Sequence, residues 1–226
     1  MRYARARRQR GESLISLMVG LLLSAVVALA MLSTYKVSAR YGGLAGQDAA
    51  ADAQVTAALL RAGLAVQEAG FGIAPASLGT QLVVLSGAAL NGTALSGSAV
   101  ATGTSGNAVL WALNTTGTAQ CAGLLFNAAI SGNGGLYFLG PVACSVGSVS
   151  GWSSLAWTAT RWADRPANQA AAAYNQTVIT FSVASTLCKP FGVTASSGNV
   201  VWTLASTNRS GAPLVEQQCL FNFKAP

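Results

Sequence analysis

Twenty-three consecutive positions, Ser13 to Tyr35, carry no charge, and Leu, Val, Ala and Met dominate them. As a helix rising about 1.5 Å per residue, the run reaches roughly 30 Å or slightly more, the thickness of a bilayer's hydrocarbon core. Ser24 and Ser33 interrupt it. Gly42, Gly43 and Gly46 then permit a kink or a locally loosened turn. Asp48 to Glu68 is Ala-rich and helix-forming. Within it Val55, Leu59, Ala62 and Val66 recur at helical spacing, with Gln54, Arg61 and Gln67 off the stripe, which predicts a face that packs on a sheet. Gly70 and Gly72 supply the helix exit, and Pro75 comes next.

From Gln81 onward the texture changes to short apolar runs separated by Gly, Ser and Asn. Leu82–Leu85, Val109–Leu113, Leu124–Ala128, Leu136–Leu139, Val178–Val183, Val200–Leu204 and Leu214–Phe223 are the predicted strands. Ile179, Phe181 and Val183 alternate with Thr180 and Ser182, and Val200, Trp202 and Leu204 behave alike, as half-buried strands should. Cys219, Phe221 and Phe223 share a parity, which predicts one inward direction for all three. The stretch 90–107 reads as a long loop or an irregular edge hairpin. The expected fold class is α+β: a long amino-terminal hydrophobic helix packed on a mainly antiparallel β-sheet domain. In residues, this means an amino-terminal segment 1–11, a helix over 12–70 (apolar part 13–35, amphipathic part 48–68) and a β-rich exterior domain over 71–226.

Five arginines precede Gly11, against Lys36 and Arg40 beyond the apolar run, so the positive-inside rule places the amino end in the cytoplasm and everything after about residue 40 outside. The formal net charge of +7 belongs largely to those arginines; without residues 1–11 it falls to +2. Arg161, Arg165, Lys189, Arg209 and Lys224 are scattered, which argues against a nucleic-acid partner bound through a dense phosphate-neutralising patch. Cys121, Cys144, Cys188 and Cys219 all lie in the exterior part and read as two disulfides in an oxidising compartment. Three pairings are open, and Cys121–Cys144 with Cys188–Cys219 is favoured because neighbouring bridges close the smaller loops.

Little points to catalysis, metal or cofactor. Histidine is absent, which removes Ser-His and Cys-His pairs and imidazole ligands. After residue 70 the acids are Asp164 and Glu216, far apart in sequence for a paired-carboxylate hydrolase. Trp152, Trp157 and Trp162 recur every five residues, a spacing that puts successive rings on opposite faces of a strand and predicts core or edge packing rather than one aromatic platform.

The junction itself carries the most specific signal. A short Arg-rich leader ending in Gly11, with Glu12 and Ser13-Leu14-Ile15-Ser16-Leu17-Met18-Val19 directly after it, resembles the class III signal of type IV pilins and pseudopilins. The resemblance implies cleavage after Gly11 by a prepilin peptidase, N-methylation of Glu12, and retention of the apolar helix in the mature chain. The family usually begins its mature chain with an apolar residue and carries a glutamate at the fifth position; here those places hold Glu12 and Ser16. In the family that carboxylate pairs with a neighbour's terminal amine, so its absence implies a tip-located minor subunit rather than a repeating shaft subunit. Glu68-Ala69-Gly70-Phe71 and Ala212-Pro213-Leu214-Val215-Glu216 resemble segments of PilW-like minor pilins.

The resemblance implies a structural role. The partners would be other pilin or minor pilin subunits, the prepilin peptidase and the inner membrane, with single-pass anchoring, a periplasmic domain and later display on a pilus at the cell surface. Gly20, Ser24 and Ala28, at fourfold spacing, offer a small-residue face for close helix packing. Two other readings stand beside it. One is a tip-displayed adhesive or binding module. The other is a secreted soluble β-protein, because Ala28-Leu29-Ala30 also forms an A-x-A cleavage site that would release a chain beginning at Met31.

Overall fold

The computed structural model describes residues 14–128, 134–144, 148–164, 178–189, 198–207 and 213–223. A single helix α1 (Leu14–Gln67) precedes β1 (Leu82–Asn91), β2 (Ala94–Ala99), β3 (Ala108–Leu113), β4 (Gln120–Asn127), β5 (Gly135–Ala143), β6 (Ala159–Asp164), β7 (Ile179–Cys188), β8 (Gly198–Thr207) and β9 (Pro213–Cys219). The chain divides into two compact units, one ending at Ala50 and one beginning at Ala51.

In the first unit α1 continues through Gly42, Gly43 and Gly46 without a break, so the loosened turn those glycines permit does not interrupt the element. Each glycine costs about 1 kcal/mol relative to Ala in a helix interior, yet propagation from long strongly helix-forming flanks carries the backbone across.

In the second unit two antiparallel sheets enclose the main core. The larger has the order β2-β1-β3-β4-β5-β6 and the smaller β7-β8-β9. The end of α1 lays Ala58, Leu59, Ala62 and Val66 against Leu82, Val84, Val109, Trp111, Leu124 and Phe126 of the large sheet and Phe181, Val183, Trp202 and Leu204 of the small one. The predicted stripe is therefore the packing face, with Gln54 and Arg61 exposed. The other face of the large sheet buries Val83, Leu85, Leu110, Leu125 and Leu139 under the segment carrying Val149 and Trp157. Central β3, Ala-Val-Leu-Trp-Ala-Leu, is buried at every position because both of its faces are covered, which is why it reads as a continuous apolar run rather than an alternation.

Segment 90–107 forms the irregular edge hairpin rather than a long loop: it contributes the edge strand β2, paired with β1 through Asn91 and Ala94 with a register shift between Ser86 and Ala89. One strand escapes the sequence pattern. Strand β6 is polar and mostly exposed, so it lacks an apolar signature. The tryptophans do not share a strand: Trp152 opens a 3-10 turn (Trp152–Ser154), Trp157 is fully buried beyond it, and Trp162 lies in β6, stacked on Phe138 at 4.9 Å between ring centroids. The shared parity of Cys219, Phe221 and Phe223 also fails. Strand β9 stops at Cys219, the chain turns, and Leu220 and Phe223 go inward while Phe221 is exposed.

The disulfides are Cys121–Cys144 and Cys188–Cys219, each with a Cα separation below 6 Å. The second ties β7 to β9 across the start of β8.

Backbone contacts fasten the layers. Gly106 and Phe181 exchange two hydrogen bonds of 2.8 Å, each amide donating to the other's carbonyl, and so stitch the large sheet's β2–β3 connection to β7. A Cβ on Gly106 would fall on the carbonyl of Leu85. Gly106→Ala should therefore destabilise the chain by about 1–3 kcal/mol, measurable as a lowered urea midpoint in detergent. An unchanged midpoint would contradict that close approach.

At the helix exit the Asn222 amide donates to the carbonyls of Gln67 (3.3 Å) and Ala69 (2.9 Å), satisfying acceptors that the helix end leaves free. Asn222→Ala should cost about 1–2 kcal/mol by the same measurement. On the edge of the large sheet, Asp164 is held below the usual carboxylate range by its hydrogen bond from Arg161, with Gln54 of α1 adding to the effect.

Candidate membrane and assembly surface

The helix segment Leu14–Gly46 is long and apolar enough to cross a bilayer, and none of it is buried within the chain. Three of its hydroxyl side chains are satisfied locally. Ser24 Oγ donates to the Leu21 carbonyl at 2.8 Å, Ser33 Oγ to that of Ala30 at 2.8 Å, and Thr34 Oγ1 to the same carbonyl at 3.0 Å. These three hydroxyl protons therefore need no partner outside the helix, which lessens the cost of placing them in hydrocarbon. Gly20, Ser24 and Ala28 lie exposed along one side of α1, and a Cβ on Gly20 would meet nothing in this chain. Ser16 is likewise exposed. Gly11 and Glu12, the residues of the expected cleavage and methylation, lie outside the described residues.

A second apolar surface emerges only in the folded chain. Leu60 and Leu64 are 59% and 65% exposed, although they sit in the part of α1 that packs on the domain. At 100° per residue they fall opposite Leu59, Ala62 and Val66, and exposed Ala53 and Ala57 share their side. This end of the helix is apolar on two opposed faces, one filled by the core and the other unfilled within the chain. The sequence does hold a signal for it: Leu60 and Leu64 interrupt what should be a polar face.

The short segments 68–71 and 212–216 have plain structural jobs where they are described. Ala69 is fully buried, and Gly70 takes φ 74° while its amide donates to the Ala112 carbonyl at 2.8 Å. A Cβ on Gly70 would press on Ala76, Phe223 and Asn222, so Glu68-Ala69-Gly70-Phe71 is a helix exit wedged into the core. Pro213-Leu214-Val215-Glu216 forms the first half of edge strand β9, while Ala212 lies outside the described residues.

The acids remaining in the β-rich part are not brought together. Asp164 interacts with Gln54 of α1, whereas Glu216 sits beside Gly63. Nine residues of helix separate those positions, roughly 13 Å. Among the described residues no group of three or more His, Cys, Asp or Glu side chains could hold a metal ion. Comparison with protein families, with curated proteins and with solved structures finds no match to this chain, so its own residues carry the functional reading.

Proposed function

We propose that this chain is a structural minor pilin or pseudopilin of PilW-like type. It is made as a single-pass inner-membrane protein with a cytoplasmic amino end and a periplasmic domain, cut after Gly11 by a prepilin peptidase, and incorporated through α1 into a priming or tip complex with other pilin subunits. The observation that carries this reading is the continuity of α1: one helix runs from the exposed apolar segment into the residues that build the domain core. Anchor and domain share an element, as a subunit that enters a helical bundle requires.

The same observation weighs against secretion by cleavage at Ala30. That cut would divide the helix and leave Met31, Leu32, Tyr35, Val37, Tyr41 and Leu44, all exposed, on a protein that must stay soluble. The driving force for assembly is the exchange of lipid contacts for close helix packing, to which Gly20, Ser24 and Ala28 contribute a low-profile side. Ser16, uncharged where a shaft subunit has its carboxylate, supports a place at the tip.

Co-purification tests the proposal. Other minor pilins should accompany the full chain from detergent extracts of cells that hold the prepilin peptidase, and their recovery should fall when the peptidase is deleted. A chain that purifies alone in both backgrounds would contradict a role in assembly.

A further inference from the structure

We propose that Lys36 and Arg40 dock the phosphodiester of an anionic membrane lipid, with Tyr35 and Tyr41 lying at headgroup level on either side. This rests on reading Leu14–Gly46 as a membrane helix and adds the lipid chemistry that its outer end takes. Lys36 and Arg40 are four residues apart on α1, so they share one side of the helix about 6 Å apart along its axis. Both are exposed, and among the described residues neither carries an ion pair. No Asp or Glu occurs from Ser13 through Gln47, so no carboxylate stands three or four residues from either cation. Like charges at this spacing repel, and an anion held between them relieves the repulsion.

Position selects the anion. From Leu14 to Tyr35 the uncharged helix rises about 32 Å, close to the hydrocarbon thickness, which brings Lys36 out at the phosphate layer and Arg40 one turn beyond it. Tyr35 and Tyr41 are 71% and 69% exposed and flank the cations around the helix, an amphipathic ring on each side of a charged pair. Gly42 and Gly43 come next, where a Cβ would meet nothing, so these two positions add no side chain beside the cations. Arg40 supplies a planar fork for two phosphate oxygens and Lys36 a compact charge. Two cations without a carboxylate favour a lipid of net negative charge over a zwitterionic one, whose own ammonium cancels the attraction.

The test uses the full chain reconstituted into vesicles of phosphatidylcholine alone, or of phosphatidylcholine and phosphatidylglycerol at two to one, with retained lipid counted by native mass spectrometry after gentle extraction. Phosphatidylglycerol should be retained in preference to phosphatidylcholine, and the Lys36→Gln/Arg40→Gln variant should lose that preference by roughly twenty- to thirty-fold. Millimolar inorganic phosphate should not displace the lipid. Equal retention by the inserted variant and the unaltered chain would overturn the lipid site, and displacement by inorganic phosphate would reassign it to a free anion. A chain that stays in the aqueous fraction with both vesicle types would instead overturn the membrane reading on which the site rests.

Discussion

Replacing Leu60 and Leu64 together by glutamate should leave the chain folded and reduce its recovery with partner subunits at least about tenfold. Both side chains are more than half exposed, so the substitutions remove no core contact, and changes at such positions usually stay within about 0.5 kcal/mol of neutral. In an assembled bundle the same two positions would be covered. Covering a leucine contributes about 1.5–3 kcal/mol, and a carboxylate buried without a partner reverses that gain. The control is one residue away. Leu59 is 8% exposed and packs in the core, so Leu59→Glu should unfold the domain rather than spare it. Unchanged recovery of partners with the double variant, at an unchanged melting temperature, would show that this side of α1 is not an assembly surface.

Loss of the Cys188–Cys219 bridge should lower the stability of the β-rich part by several kcal/mol. The bridge closes 31 residues, and the loop-entropy treatment gives about 3.5 kcal/mol for a loop of that size. Geometry adds a local reason. The small sheet has three strands, and its outer strands β7 and β9 are joined to each other by this bond across β8. Domains of this size are stable by about 5–15 kcal/mol in total. Serine at both positions should therefore lower the urea midpoint sharply, and breaking Cys121–Cys144 as well should leave the β-rich part near or below its folding threshold. A loss under about 1 kcal/mol for the double serine variant would mean that sheet packing alone holds β7 and β9.

The sequence is most legible where one physical demand acts alone. Val55, Leu59, Ala62 and Val66 announce a packed helix face because only the core constrains them. Ile179, Phe181 and Val183 announce a strand because one side of β7 is wet. Strand β6 leaves no such mark because its role is to close a sheet edge, which asks for backbone pairing and tolerates Thr160, Arg161 and Asp164. The turn after Cys219 defeats a parity argument because parity holds only while the backbone stays extended, and nothing local marks Leu220 as the first residue beyond the strand. Trp152, Trp157 and Trp162 show the same limit, since even spacing implies alternating faces only within a single strand.

The candidate surface is half legible. Charge-free length alone marks Ser13 to Tyr35 as an apolar helix, and Ser24, Ser33 and Thr34 need no partners outside it. Leu60 and Leu64 require the fold, because a leucine off the predicted stripe gains meaning only once the stripe is known to be filled.

The mass of the mature amino-terminal peptide, taken from protein recovered from membranes and from the soluble fraction, tests the central claim most directly. Retention of the helix predicts a membrane-bound chain that begins at methylated Glu12 and includes Leu14 through Gly46. A chain found in the soluble fraction and beginning at Met31 would contradict it.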